Sequence, residues 1–170
     1  MGLASLVGRE SCLNMLGLIQ HALADERSAL EHFHESARVA EAIGDGRGLT
    51  AALANTAMVM HAQGDRESAL QVFRDILTKP HIQANPQFRA QTRHNLAQTL
   101  WDLGRELPEC AELFKLAAAG KRELGDRWSL AFTLCSLSGV ERDLGRFAEA
   151  RETLREVETL LTGEASQELR

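Results

Sequence analysis

The chain repeats itself with a period near 40 residues, and this recurrence restricts its possible folds more than any other feature. A small residue sits mid-way along a helix-forming stretch at Gly17, Ala57, Ala97 and Ser138, at spacings of 40, 40 and 41 residues. Seven residues later come Ala24, Gly64, Gly104 and Gly145, three of them glycines able to take the positive φ that closes a helix. Each is followed by a second stretch in which a small residue, a bulky one and another packing residue fall at i, i+4 and i+7. These are Ala29, Phe33, Ser36; Ala69, Phe73, Ile76; Cys110, Phe114, Ala117; and Ala150, Leu154, Val157. That spacing puts the three on one helix face. The unit is two helical halves and a hinge, clearest in Leu53 to Gln63 and Arg66 to Phe73 about Gly64-Asp65. A second kind of turn recurs between units, at Ile43-Gly44-Asp45 and Leu124-Gly125-Asp126.

Small residues at fixed places have a mechanical reason. Two antiparallel helices joined by a short turn approach closely only where one offers Gly, Ala or Ser to a bulky side chain of the other. One such pair leaves an apolar face bare, and stacking the next pair covers it. The expected architecture is all-α: a right-handed α-solenoid of four antiparallel helix pairs in one domain over 1–170. The repeats fall at about 3–44, 45–85, 86–125 and 126–162, followed by a loose polar tail at 163–170. The first helix is expected over Leu3 to Leu23, weakened at Gly2 and Gly8. The third covers Thr50 to Gln63, with Arg47 as an alternative start, and Asp65 caps a fourth that reaches Thr78. Pro80, Asn85 and Pro86 mark a turn or loop before a fifth helix over Gln87 to Leu103. The turn Gly104-Arg105-Glu106-Leu107-Pro108 carries one extra residue, and the last helix spans Phe147 to Leu161.

A net charge of −5 with alternating signs lacks the basic stripe that a nucleic-acid surface needs. No stretch is apolar enough to span a membrane, and Met1 to Val7 lacks the basic start of a secretory signal, so a cytoplasmic chain is expected. Cys12, Cys110 and Cys135 are odd in number and lack metal-like spacing, which suggests buried reduced thiols. His32 and His34 are two apart on a helix and face different ways. No Cys-His or Ser-His-Asp arrangement and no phosphate-cradling loop is readable, so neither catalysis nor a cofactor is expected.

Leu13-Asn14-Met15-Leu16-Gly17, followed by Ala29 and Phe33, resembles the tetratricopeptide repeat, with Leu-Gly in the first helix and Ala then an aromatic in the second. The period near 40 and the missing proline at each unit's end resemble the longer-helix variant found in kinesin light chains, polarity scaffolds and sensory regions of bacterial regulators. The resemblance implies that first helices line a concave groove for a protein or peptide ligand. Two residues before the small ones stand Met15, Asn55, Asn95 and Ser136. An amide there can bond the backbone of an extended peptide, or it can bond a neighbouring helix or solvent. The rest of the strip holds Asn14, Leu18, His21, Met58, His61, His94, Gln98, Trp101 and Arg142. Trp101 beside His61, His94 and Met58 fits an aromatic anchor pocket or a side chain half-buried between units. Where the shorter form of the family places Lys and Arg to clamp a C-terminal carboxylate, this chain has Asn14, Leu18, Asn55, Gln91 and Asn95, and no clamp is expected. Leu154, Val157, Leu160 and Leu161 lie on a helix face that either packs inward or is covered from outside. The functional expectation is a binding scaffold or sensory module within a larger bacterial-type regulator, with a homodimer through the end helices as the alternative.

Overall fold

The computed structural model describes residues 3–168, with side chains over 5–162. These residues form helices only, in two compact units, Met1–Ala84 and Asn85–Arg170. The first unit holds α1 (Leu3–Ala22), α2 (Glu26–Ile43), α3 (Gly46–Ala62), α4 (Arg66–Thr78) and the short α5 (Pro80–Gln83). The second holds α6 (Pro86–Asp102), α7 (Leu107–Glu123), α8 (Arg127–Asp143) and α9 (Phe147–Glu168). Within each unit every long helix packs antiparallel on the next, and first helices also touch, α1 with α3 and α6 with α8. This is the paired-helix repeat that the sequence implies.

The turns follow from local chemistry. Gly44, Gly64, Gly104, Gly125 and Gly145 all take positive φ. The chain past each is tied back to its helix, as where Asp65 N–H donates to the Met60 carbonyl at 2.9 Å and Arg105 N–H to Leu100 at 3.1 Å. These bonds satisfy carbonyls that the helix end would otherwise orphan. Ala24 takes the same left-handed conformation at φ 59° without the freedom of glycine. Asp25, Asp45, Asp65 and Asp126 then cap α2, α3, α4 and α8 by accepting from backbone N–H groups one turn on, and Asn85 does so for α6.

The periodic positions form the interior. Ala29, Ala69, Cys110 and Ala150 are buried, as are Phe33, Phe73 and Phe114. The small-to-bulky seat is close at Gly17, where an added Cβ would lie 2.4 Å from the Phe33 ring. Leu154, the fourth member of the bulky series, departs from it. It is 45% exposed, because among the described residues α9 packs on α8 alone.

First helices are enclosed on two sides and bury polar residues too. Thr56, Thr92, Thr99 and Thr133 are buried, and each hydroxyl donates to the carbonyl four residues back on its own helix, at 2.8–3.0 Å. Thr133 also lies 3.1 Å from His94 Nδ1 and accepts from Lys121 Nζ at 2.8 Å. Its own proton goes to the Ser129 carbonyl, so the His94 Nδ1–H is the donor to Thr133. The His94 ring stands edge-on to Phe114 at 5.3 Å, and burial, with the Lys121 charge adding to it, pushes its pKa down to about 4.

Three sequence expectations change. The turn expected from Lys79 to Pro86 contains α5, because Pro80 and Pro86 each open a helix at a first-turn position that needs no N–H. The last helix runs past Leu161 to Glu168. No proline follows Leu161, and extending a formed helix is far cheaper than starting one. Of the three thiols only Cys110 is buried, where desolvation raises its pKa to about 11; Cys12 and Cys135 are exposed. Gly2, singled out as a weak helix start, lies outside the described residues, as do Leu169 and Arg170 of the expected tail.

Gly17→Val should destabilise the chain by about 1–3 kcal/mol, since a rigid buried ring blocks the new side chain. Ala24→Gly should stabilise it by about 1 kcal/mol by relieving the left-handed alanine. Urea unfolding measures both. For His94, a folded pKa below the unfolded value of 6.5 means that its contribution is complete above pH 6.5 and is lost as pH falls toward 4. His94→Gln should abolish that limb of the stability profile while any decline below it, where Asp25 and Asp126 titrate, persists.

Candidate peptide-binding face

In the first unit, α1 and α3 bring Asn14 and Asn55 together. The Asn55 amide donates to Asn14 Oδ1 at 2.9 Å, and both are half-buried. Leu18 packs against the buried cluster of Ala29, Phe33 and Val59. His21 meets the Glu26 carboxylate at 3.0 Å where α1 hands over to α2. Met58 and His61 are half-buried further along α3.

In the second unit, α6 and α8 set their open strips side by side. Gln91 donates to Asn95 Oδ1 at 2.9 Å and Gln98 to Asp102 at 2.8 Å, so the amides run along α6 one turn apart. Ser136 of α8 donates to Gln98 Oε1 at 3.5 Å, which joins the two helices at this level. His94 is turned inward, away from the strip, by its bond to Thr133.

Trp101 lies half-buried with its ring against Gly139, where a Cβ would come within 2.4 Å, and edge-on to Phe114 at 6.4 Å. Its Nε1–H donates to Asp143 Oδ2 at 2.8 Å. The exposed Arg142 guanidinium donates to Asp143 Oδ1 at 2.7 Å. These bonds hold the Asp143 carboxyl below the usual carboxylate range, the indole first and the guanidinium second. Trp101 is thus braced between α6, α7 and α8, with one edge open.

The largest open aromatic surface is on residues that sequence reasoning passed over. Trp128 and Phe132 stand one turn apart on α8 and are 65% and 64% exposed. Phe132 lies against the His94 ring at 5.3 Å. They precede Ser138 by ten and six residues, whereas the strip was traced only from three before each small residue to four after. The same helical stripe, followed toward the start of α8, reaches both. Cys135 is exposed on this stripe as well. The arrangement offers aromatic faces for apolar contact and amides for backbone hydrogen bonds. Among the described residues no three His, Cys, Asp or Glu are grouped to hold a metal ion, and no helix is long and apolar enough to cross a membrane.

A family model for the tetratricopeptide repeat matches residues 50–75, 90–113 and 132–156, each stretch running from a first helix into its second. Among solved structures, the chain is similar to BtubC (BKLC) from P. vanneervenii, with TM-score 0.80 and 15% identity over 92% of this chain and 64% of that one. It is also similar to a Rap protein complexed with Competence and Sporulation Factor, with TM-score 0.82 and 16% identity over 93% of this chain and 44% of that one. A putative kinesin light chain from Podosopora anserina, with nearly identical TPR-like repeats, gives TM-score 0.74 and 17% identity over 88% of this chain and 73% of that one. The chain therefore spans less than two thirds of the length of the first two. No curated protein matches significantly. The repeat pattern, the paired helices and these likenesses agree that the chain has the tetratricopeptide-like repeat fold.

Proposed function

We propose that the chain binds an extended segment of a partner protein along the open strips of its first helices, with the main contact on α6 and α8. The observation that carries this reading is the exposure of Trp128 and Phe132 beside the amide row of Gln91, Asn95 and Gln98. Exposed aromatics are among the side chains that dominate binding energy at interfaces. Amides that donate and accept suit a peptide backbone whatever its side chains. Tetratricopeptide repeats serve as protein-interaction scaffolds, and that general role fits this chain. Its finer role is that of a sensory module in a larger cytoplasmic regulator. The likeness to a Rap protein solved with a bound factor supports this.

A second reading, self-association through the end helices, draws on a different feature. Leu16 and Ile19 are exposed along one side of α1 and Leu23 just past its end, and Leu154 and Leu161 on α9. The positions 40 residues after Leu16 and Ile19, Thr56 and Val59, are buried in α3 under α2. The face on α1 thus has the pattern of one that takes a helix. Light scattering should show a dimer that Ile19→Glu dissociates. A wild-type chain that stays monomeric at high concentration removes this reading.

For the binding face, the intact chain used as bait in cell extract should capture a partner identifiable by mass spectrometry. Trp128→Ala should weaken that capture about tenfold or more, as loss of an aromatic anchor does, with the melting temperature nearly unchanged. Asn55→Ala and Asn95→Ala should weaken it less. Undiminished capture by the Trp128 variant would move the site elsewhere.

A further inference from the structure

A buried lysine in the second unit borders a cavity to which none of the above gives a role. Lys121, in the last turn of α7, is only 4% exposed. Its ammonium donates to Thr133 Oγ1 at 2.8 Å and more distantly to the Ser129 carbonyl at 3.4 Å. Among the described residues no carboxylate lies within ion-pair distance of it. Burying an ammonium without a counter-charge is costly, and desolvation pushes its pKa down to about 8. Lys121 also lines a cavity of about 280 Å³ together with Phe88, Gln91, Leu124 and Asp126. The cavity therefore sets the apolar Phe88 and Leu124 beside the amides of Gln87 and Gln91, and the Lys121 ammonium has no carboxylate in direct contact. Asp126 is exposed to solvent, and its oxygen accepts the Ser129 N–H at the cap of α8; its charge raises the Lys121 pKa, but by less than burial lowers it.

We propose that this cavity receives the carboxylate of an acidic side chain of the bound segment, which pairs with Lys121 while the preceding apolar residue rests on Phe88 and Leu124. The proposal deepens the reading of α6 and α8 as a peptide face, because Gln91 belongs to both. Its pH dependence is distinctive. His94, on α6 and bonded to the same threonine, is neutral above pH 5, and Asp126, with its pKa lowered, stays charged. Between pH 6 and 9 Lys121 therefore titrates alone among the groups that face this site from α6, α8 and the cap.

The probe is N-acetyl-leucyl-glutamate amide, compared with its glutamine counterpart, titrated into the isotope-labelled intact chain and followed by NMR. The glutamate probe should shift the Lys121, Gln91 and Ser129 signals and bind about tenfold more tightly than the glutamine probe. That preference should fall about tenfold between pH 7 and pH 9, whereas a lysine of ordinary pKa would keep it to pH 10. Lys121→Met should remove the preference and leave the chain folded, as melting curves would check, and Lys121→Gln should remove it too. Equal binding of both probes at Trp128 and Phe132 with no response at Lys121 would overturn the carboxylate site while leaving the peptide face standing. No response at Lys121 to millimolar glutamate probe, with Trp128 and Phe132 also silent, would overturn both.

Discussion

The structure depends on one kind of contact, a bulky side chain of a second helix set against a bare spot on a first helix. Gly17 under Phe33 is one instance, and the buried Ala57 and Ala97 repeat the small partner at the same register. Dispersion and apolar burial reward that contact only if the helix axes come near enough for the ring to touch backbone. A β-carbon too many at Gly17 would hold the helices apart along their length. Spacing, pairing and the shape of the interior follow from it.

Most of the fold was legible because this contact is periodic and is built from residue types that sequence shows directly. Gly64, Gly104 and Gly145 could be read as turn closers, and the aspartates after glycine as caps, since both effects are local. What sequence could not show was enclosure. Leu154 matches Phe33, Phe73 and Phe114 in register, yet it is open because nothing among the described residues lies over α9. Cys12 and Cys135 occupy helical positions that looked as suited to burial as Cys110, and only the neighbours present on each side distinguish them. Ala24 shows that register can impose a left-handed turn on a residue whose type argues against it.

The binding face was read less well, for a related reason. First helices in this arrangement are packed on two sides, so they show little of the one-sided hydrophobicity that marks a surface helix. On α6 the buried residues Ala90, Thr92, His94, Leu96, Ala97, Thr99 and Leu100 cover more than half of the helix circumference. A histidine such as His94 and an asparagine such as Asn95 are then adjacent in sequence and opposite in environment. Trp128 and Phe132 look like core residues from composition and are the most open aromatics of α8. Tracing one stripe through both aromatics needed the geometry of the helix and not its hydrophobicity.

The buried threonines carry a further implication. Because Thr92, Thr99 and Thr133 each direct the hydroxyl proton to a carbonyl of their own helix, these buried hydroxyl protons ask nothing of the outward strip. The outward strip amounts to roughly one residue per turn. A lineage of such chains is thus free to rewrite that narrow line of side chains, and with it the choice of guest, while the scaffold beneath stays in its original register.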